Sequence, residues 1–388
     1  MQSPLTIVVG GYIVGYPLGG MTWHHLNYLL GLHALGHEVW FLEDSGEFAL
    51  PYNPTTHECE TDSAFGRAYL EHTFGRHGLP LRYCYYSQFE DRHYGMTRDE
   101  LHALLARADL LVCVSGVTPL RPGRPRPKRT LAIDTDPVYT QLRMAHDDEF
   151  ARYWRSFDHV ATFGRLIGTR DCPLPTHGLQ WIATNQPVAL EHWPCVEPVA
   201  ASRFTTVGKW EHATSRAVEF HGRRLLSSKA PEWMKLLDLP SRTRAPLTLA
   251  MESMPPDVKR QFESRGWTWA DAEAATRTTE SFREFVAASA GELTVAKEIY
   301  AAVPSGWFSD RSACYLATGR PVVTQSTGFE EWLPVGEGLM SFTSGDEAAD
   351  ALDRVSADPA RHARAARAIA ETHFDARQVL GELLDVII

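Results

Sequence analysis

TIVVGGYIVGYPLGGMTWHHLNYLLGLHALGHEVWFLE, residues 6–43, decides the fold. Thr6-Ile7-Val8-Val9 is a short β-rich run that ends on Gly10-Gly11, and a loop follows as far as Gly19-Gly20. Trp23 to Leu35 is apolar on most faces, as a helix packed on a sheet must be. Gly36-His37 stops that helix, and Glu38-Val39-Trp40-Phe41-Leu42 is the next strand. Strand, glycine loop, helix, strand is a βαβ unit. The first 37 residues carry no Asp, Glu, Lys or Arg, which imitates a leader or membrane segment. Seven glycines interrupt them, no basic region precedes them, and no apolar run approaches the roughly 20 residues of a membrane span. They suit a buried strand, a turn and a buried helix.

The alternation continues outward. Helices are expected near 62–77 and 97–107, and strands at 81–86, 109–115, 130–134 and 157–163. Around 187–202 the texture changes to PVALEHWPCVEPVAAS, rich in proline and without period, which marks a linker. Beyond it strands are expected at 204–207, 246–251, 267–270, 292–295, 321–324 and 338–342. Helices are expected at 231–238, 256–265, 280–288, 310–318 and 346–356, with a helical end from Pro359. Alternating strands and helices imply an α/β chain of two Rossmann-like, doubly wound domains, 1–195 and 196–388. The last helix is free to pack back on the first domain. Two such sheets face each other across a cleft at the carboxyl ends of their strands.

Bulk properties agree. A chain of 388 residues suggests two or three domains at roughly 150 residues each. A content of 44% hydrophobic and 22% charged residues supplies proper cores and excludes disorder as the main state. Lys plus Arg number 38 against 48 Asp plus Glu, a net charge of −10. That disfavours general nucleic-acid binding or an anionic membrane surface. The six cysteines, at 59, 84, 113, 172, 195 and 314, form no CxxC and no zinc spacing, so they read as reduced thiols of a cytoplasmic protein.

Three stretches resemble GT-B glycosyltransferases, in the order and halves that family uses. Pro17-Leu18-Gly19-Gly20-Met21-Thr22-Trp23-His24-His25, continuing to Leu35-Gly36-His37-Glu38-Val39, resembles their opening. Ser305 to Val323, closing on Gly319-Arg320-Pro321-Val322-Val323, is similar to their donor-site helix, and Thr327-Gly328-Phe329-Glu330-Glu331 to the glycine–glutamate motif after it. The resemblance implies a nucleotide-diphosphate sugar, UDP- or dTDP-linked, on the second domain and a small acceptor on the first. It departs at Gly306 and Cys314, where many retaining members carry paired glutamates and the plant-type inverting signature has His and Glu.

Each candidate residue has a plainer alternative. Ser309, Asp310, Arg311 and Ser312 open a helix after Ser305-Gly306, where free N–H groups and a cation hold phosphate. The alternative is an ordinary cap with a solvated arginine. Arg223 and Lys229 resemble the family's arginine–lysine diphosphate pair, with Lys209 a rival; the alternative is surface cations. The resemblance gives Glu331 a sugar or ribose contact, against a first-turn acid. His24 is the preferred general base for an acceptor hydroxyl, with His25 structural or the reverse, and Gly19 and Gly20 belong to the acceptor-side loop. Asp134-Thr135-Asp136 is a DxD string at a strand end: Asp136 can orient a base or meet the acceptor, or only make an Asp-Pro turn. Tyr12, Tyr16, Trp23 and Trp40 line an apolar acceptor pocket or fill the core.

Glu43-Asp44 close the second strand, but no GxGxxG precedes them, which argues against a dinucleotide oxidoreductase. The basic loop Arg121, Arg124, Arg126, Lys128, Arg129 has no interleaved aromatics for a nucleic acid. The resulting expectation is an inverting glycosyltransferase that needs no metal or other cofactor and no membrane insertion. A sugar-nucleotide 2-epimerase on the same fold and a non-catalytic nucleotide-binding protein are the alternatives.

Overall fold

The computed structural model describes residues 3–44, 46, 50–198, 202–211 and 217–388; residues 199–201 of the expected linker lie outside that set. The first sheet uses β1 (Thr6–Gly10), β2 (Glu38–Glu43), β3 (Tyr83–Ser87), β4 (Arg92–Tyr94), β5 (Leu110–Val114), β6 (Arg129–Asp134), β7 (His159–Thr162) and β8 (Trp181–Ala183). Its spatial order is β8-β7-β6-β5-β1-β2-β3-β4, parallel except for β4. The second sheet uses β9 (Phe204–Lys209), β10 (Leu247–Glu252), β11 (Thr268–Trp269), β12 (Gly291–Thr294), β13 (Val322–Gln325) and β14 (Leu339–Phe342). Its order is β11-β10-β9-β12-β13-β14, parallel throughout. Helices cover both faces, so the central strands are continuous apolar runs rather than alternating ones: Ile7, Val8 and Val9 are all fully buried.

The opening helix runs Gly19–Ala34 and starts four residues earlier than its apolar content suggests. Gly19 is helical because the second domain passes close by. A Cβ there would sit 2.0 Å from the Thr278 carbonyl oxygen, and one on Gly20 would meet the Phe282 ring at 3.0 Å. The partner is the helix Thr279–Ala287, begun by a Thr278 capping box, and Trp23 Nε1 donates to the Thr279 carbonyl at 2.9 Å. Gly19 and Gly20 thus form the seam between domains instead of an acceptor loop.

The carboxyl-terminal residues form two helices, Pro359–His373 and Ala376–Ile387. The second lies on the opening helix: a Cβ on Gly31 would reach Leu380 Cδ1 at 2.6 Å. The crossing is held by backbone, with Val188 N–H donating to Phe374 O at 2.7 Å and Ala376 N–H to Val188 O at 2.9 Å. A further apolar cluster joins the domains. Val138, Leu142 and Ile167 of the first meet Leu225, Ile299 and Tyr300 of the second. Leu225 belongs to a hairpin, Ala217–Phe220 with Arg223–Leu226, turned at His221-Gly222 with φ of 48° and 72°. Two positive φ angles give the turn whose twist matches a hairpin. That hairpin, β4 and β8 escape sequence periodicity because each strand spans only three or four residues. Among the described residues no helix is long and apolar enough to cross a membrane.

Candidate active site in the interdomain cleft

His24 leaves the first turns of the opening helix and reaches the carboxyl ends of β5 and β6. Its ring is 10% exposed. Nε2 lies 3.0 Å from Ser115 Oγ, and Ser115 Oγ accepts from Thr135 Oγ1 at 2.8 Å. Nδ1 lies 3.1 Å from Asp310 Oδ2, on the first residue of the helix Asp310–Ala317 in the other domain. Burial opposes charge on Asp310, but the bond and charge of His24, with Arg311, hold it well below the usual carboxylate range. Ser115 has φ of 60°, a costly backbone for a residue with a Cβ. His25 faces the other way. It is buried behind Gly11 and Phe41, its Nδ1 has no partner, and burial followed by the charge of His24 holds it well below its ordinary pKa. It is a neutral core residue, away from the cleft.

The cations divide. Arg311 is largely enclosed and three of its five N–H donors are taken: Nε donates to Glu292 Oε1 at 2.5 Å, Nη1 to Val207 O at 3.1 Å and Nη2 to Thr294 Oγ1 at 2.8 Å. It braces the ends of β9 and β12, and its charge is already paired with Glu292. Lys229 caps the short helix Ala230–Lys235, and among the described residues its ammonium has no hydrogen-bond or ion-pair partner. Burial, then the charges of Arg311 and Lys297, push its pKa well below the ordinary lysine value. Lys297 reaches across the cleft to Asp136 Oδ1 at 2.8 Å. Asp134 is a knot: it accepts from Thr140 Oγ1 at 2.7 Å, Gln141 Nε2 at 2.9 Å and Thr162 Oγ1 at 3.1 Å, and burial pushes it up to about 6. The DxD string thus braces a strand end and one lysine. Among the described residues no three His, Cys, Asp or Glu side chains converge as a metal site.

The glycine loop is held from below. Glu43 is buried and accepts from the N–H groups of Ile13, Val14 and Gly15 at 2.8, 2.6 and 2.6 Å. Above it Tyr16 stacks on Tyr52, with ring centres 5.1 Å apart, and takes a hydrogen bond from Lys209 of the second domain. Lys209 also lies 3.8 Å from Glu252, so it latches the domains and is not a free phosphate ligand. Trp23 is buried in the interdomain seam, and Trp40 packs beside the sheet.

Known structures carry the same architecture. AviGT4, a glycosyltransferase involved in avilamycin A biosynthesis, is 13% identical with a TM-score of 0.58, over 99% of this chain and 97% of its own. HepE from Anabaena, in complex with UDP-glucose, is 13% identical with a TM-score of 0.57 over 98% and 100%. An α-glucosyltransferase in complex with UDP and a 13-mer DNA is 11% identical with a TM-score of 0.52 over 99% of both chains. The chain has the GT-B glycosyltransferase fold. Its residues 244–385 match the glycosyl transferase-like family, and no curated protein matches it in sequence.

Within the GT-B cleft the structure brings together His24, Asp310, Lys229 and, through Lys297, Asp136. It separates others. Arg223 is exposed on the hairpin and lines a cavity of about 400 Å³ with Glu232, Lys235, Glu298 and Gln325. Glu331 is exposed on the turn after Gly328 and is not turned into that cavity. Ser309 caps the helix through its backbone position without a side-chain cap bond, and Ser312 Oγ is buried without a partner at the helix start. Cys314 stands where a GT-B glutamate is expected; burial pushes its thiol well above the ordinary range, so it stays neutral. Sequence reasoning missed Ser115, Glu292 and Lys297, and gave Thr135 of the DxD string no role of its own. The signal for Ser115 was its place after the apolar strand β5, next to Gly116. Glu292 gave a stronger one, an acid inside an otherwise apolar strand.

Proposed function

We propose that this protein transfers a sugar from a nucleoside diphosphate sugar, held on the second domain, to a hydroxyl or amine of a small acceptor on the first. His24 is the general base, and the anomeric carbon is inverted. The observation that carries the reading is Lys229, a half-buried lysine near the helix start at Asp310, within the fields of Asp310 and Glu292 but with no hydrogen bond or contact ion pair among the described residues. A leaving diphosphate gathers negative charge and needs such a cation; the helix end and the buried Ser312 hydroxyl add to it. The carboxylates beside the cleft are already engaged by Lys297, Thr140 and Gln141, so the reaction is expected to run without a metal ion. HepE binds UDP-glucose, which makes UDP the first nucleotide to try.

The α-glucosyltransferase among the structural relatives was solved with DNA. Four of the five cations of the basic loop here are already paired with carboxylates: Arg121 and Arg124 share Asp44, Arg126 meets Asp158 and Lys128 meets Asp109, which supports a small acceptor instead. A second reading, a nucleotide-binding protein without turnover, draws on Cys314 and on the occupied fork of Arg311. Thermal unfolding with UDP, dTDP, GDP and ADP, with and without EDTA, separates them. A diphosphate at 100 times its Kd adds about 2.7 kcal/mol. Stabilisation that ignores EDTA, with slow release of glucose from UDP-glucose, supports the enzyme. Stabilisation without release supports the binding protein, and no stabilisation removes both.

A further inference from the structure

The base and the donor site are joined by one carboxylate. We propose that Asp310, although carried by the second domain, is the positioning residue of the His24 base on the first, so that the base is complete only when the cleft is closed. This rests on the glycosyl-transfer reading above.

The hydrogen-bond directions require it. A neutral imidazole has one N–H, and a base needs the other nitrogen bare. An ionised carboxylate only accepts, so at 3.1 Å from Asp310 Oδ2 it is Nδ1 that carries the proton. Thr135 donates to Ser115 Oγ, which leaves the Ser115 proton free to point at Nε2. The Ser115 hydroxyl therefore stands where an acceptor hydroxyl would present its own proton. In the transfer, the acceptor oxygen bonds to the anomeric carbon as its proton passes to Nε2. The bond from that carbon to the phosphate oxygen breaks, and the diphosphate leaves with the electron pair. His24 ends as an imidazolium facing Asp310, which is where an anion is most useful. In an open cleft the same carboxylate has no histidine to face and stands as a like charge at the helix end that binds the diphosphate. Closure gives that carboxylate a hydrogen-bond partner and orients the base in one movement. No base is then set against a donor that has not been enclosed.

The test compares wild type with D310N and D310A, using UDP for affinity and UDP-glucose hydrolysis for turnover. A long-range proton–nitrogen NMR spectrum of the histidine rings in the UDP complex reads the tautomer directly. The expected results are an Nδ1–H tautomer at His24 in wild type, lost in D310A, and turnover down by about 100-fold or more in both variants. UDP affinity is unchanged or higher, because a negative charge has left the phosphate site. A purely structural role for Asp310 would instead lower affinity and melting temperature together. An Nε2–H tautomer in wild type, or D310A turnover within roughly threefold of wild type, overturns the role of Asp310 and leaves the donor reading standing. A wild type that binds no nucleoside diphosphate overturns the donor reading, and this inference with it.

Discussion

The two cationic segments of the second domain look alike in sequence and behave as opposites in the structure. Arg311 opens a helix in the place the GT-B resemblance assigns to phosphate, yet Glu292, Val207 and Thr294 occupy its fork. Lys229 sits in a stretch that reads as a surface loop, yet it is drawn toward the cleft with no contact ion pair among the described residues. A charge is available to a ligand only when the fold has not already neutralised it. Sequence shows the charge and hides the partner, because Glu292 and Arg311 come together through strand order and not through spacing.

Breaking the Arg311 pair should have the largest effect, and on stability. Removing one member of a buried ion pair leaves an uncompensated charge and costs about 3–5 kcal/mol. Arg311→Met should therefore lower unfolding free energy by that amount in urea titration. Arg311→Met with Glu292→Leu should recover much of it. Equal losses in the single and double variants would mean that Glu292 is not the partner that matters.

Lys229→Met is the converse experiment. The fold should keep its melting temperature or gain, since a desolvated cation without a contact ion pair is removed. UDP affinity should fall about 10- to 100-fold, the worth of one charge-assisted hydrogen bond, about 1.5–3 kcal/mol. A calorimetric titration showing unchanged affinity would assign the diphosphate to other groups.

A third experiment separates the two cations by their protons. Burial depresses the lysine, so the folded protein binds fewer protons here than the unfolded chain between the depressed value and the ordinary one. Stability should rise with pH across that window. A bound diphosphate reverses the depression, so UDP binding in the same window should take up a proton. Titrations in two buffers of different ionisation enthalpy should then give different apparent heats for wild type and equal heats for Lys229→Met. Arg311, paired and always charged, should contribute nothing to that difference.

The legible part of the molecule was the part governed by local pattern. Residues 6–43 announce a βαβ unit because apolar runs and glycines alternate at the length of strands and turns. The helix Asp310–Ala317 ends one residue before its expected boundary, and the return of the last helix onto the opening helix is visible as Gly31 beneath Leu380. His24 was readable as a cleft residue because it follows the glycine loop. Its neighbour was not separable from it: adjacent residues point about 100° apart on a helix, and only the packed sheet shows that His25 faces Gly11. Gly19 and Gly20 misled for a related reason. A glycine needed for close approach to another domain has the same letter as one needed for a flexible loop.

Asp136 offers the smallest effect and a change of sign. Among the described residues its ion pair is with Lys297, both groups are partly exposed, and such pairs contribute about 0.2–1 kcal/mol. If Asp136 merely occupies Lys297, Asp136→Asn frees a second cation beside Lys229. UDP affinity should then rise by up to about fivefold, with turnover nearly unchanged. If Asp136 acts on the acceptor as a base, the same substitution should cut turnover by about 10²- to 10⁴-fold and leave UDP binding alone. The two outcomes lie in opposite directions on two separate measurements. The first is expected, because the carboxylate of Asp136 is turned to Lys297, whereas the proton-accepting nitrogen of His24 is held in place facing the Ser115 hydroxyl.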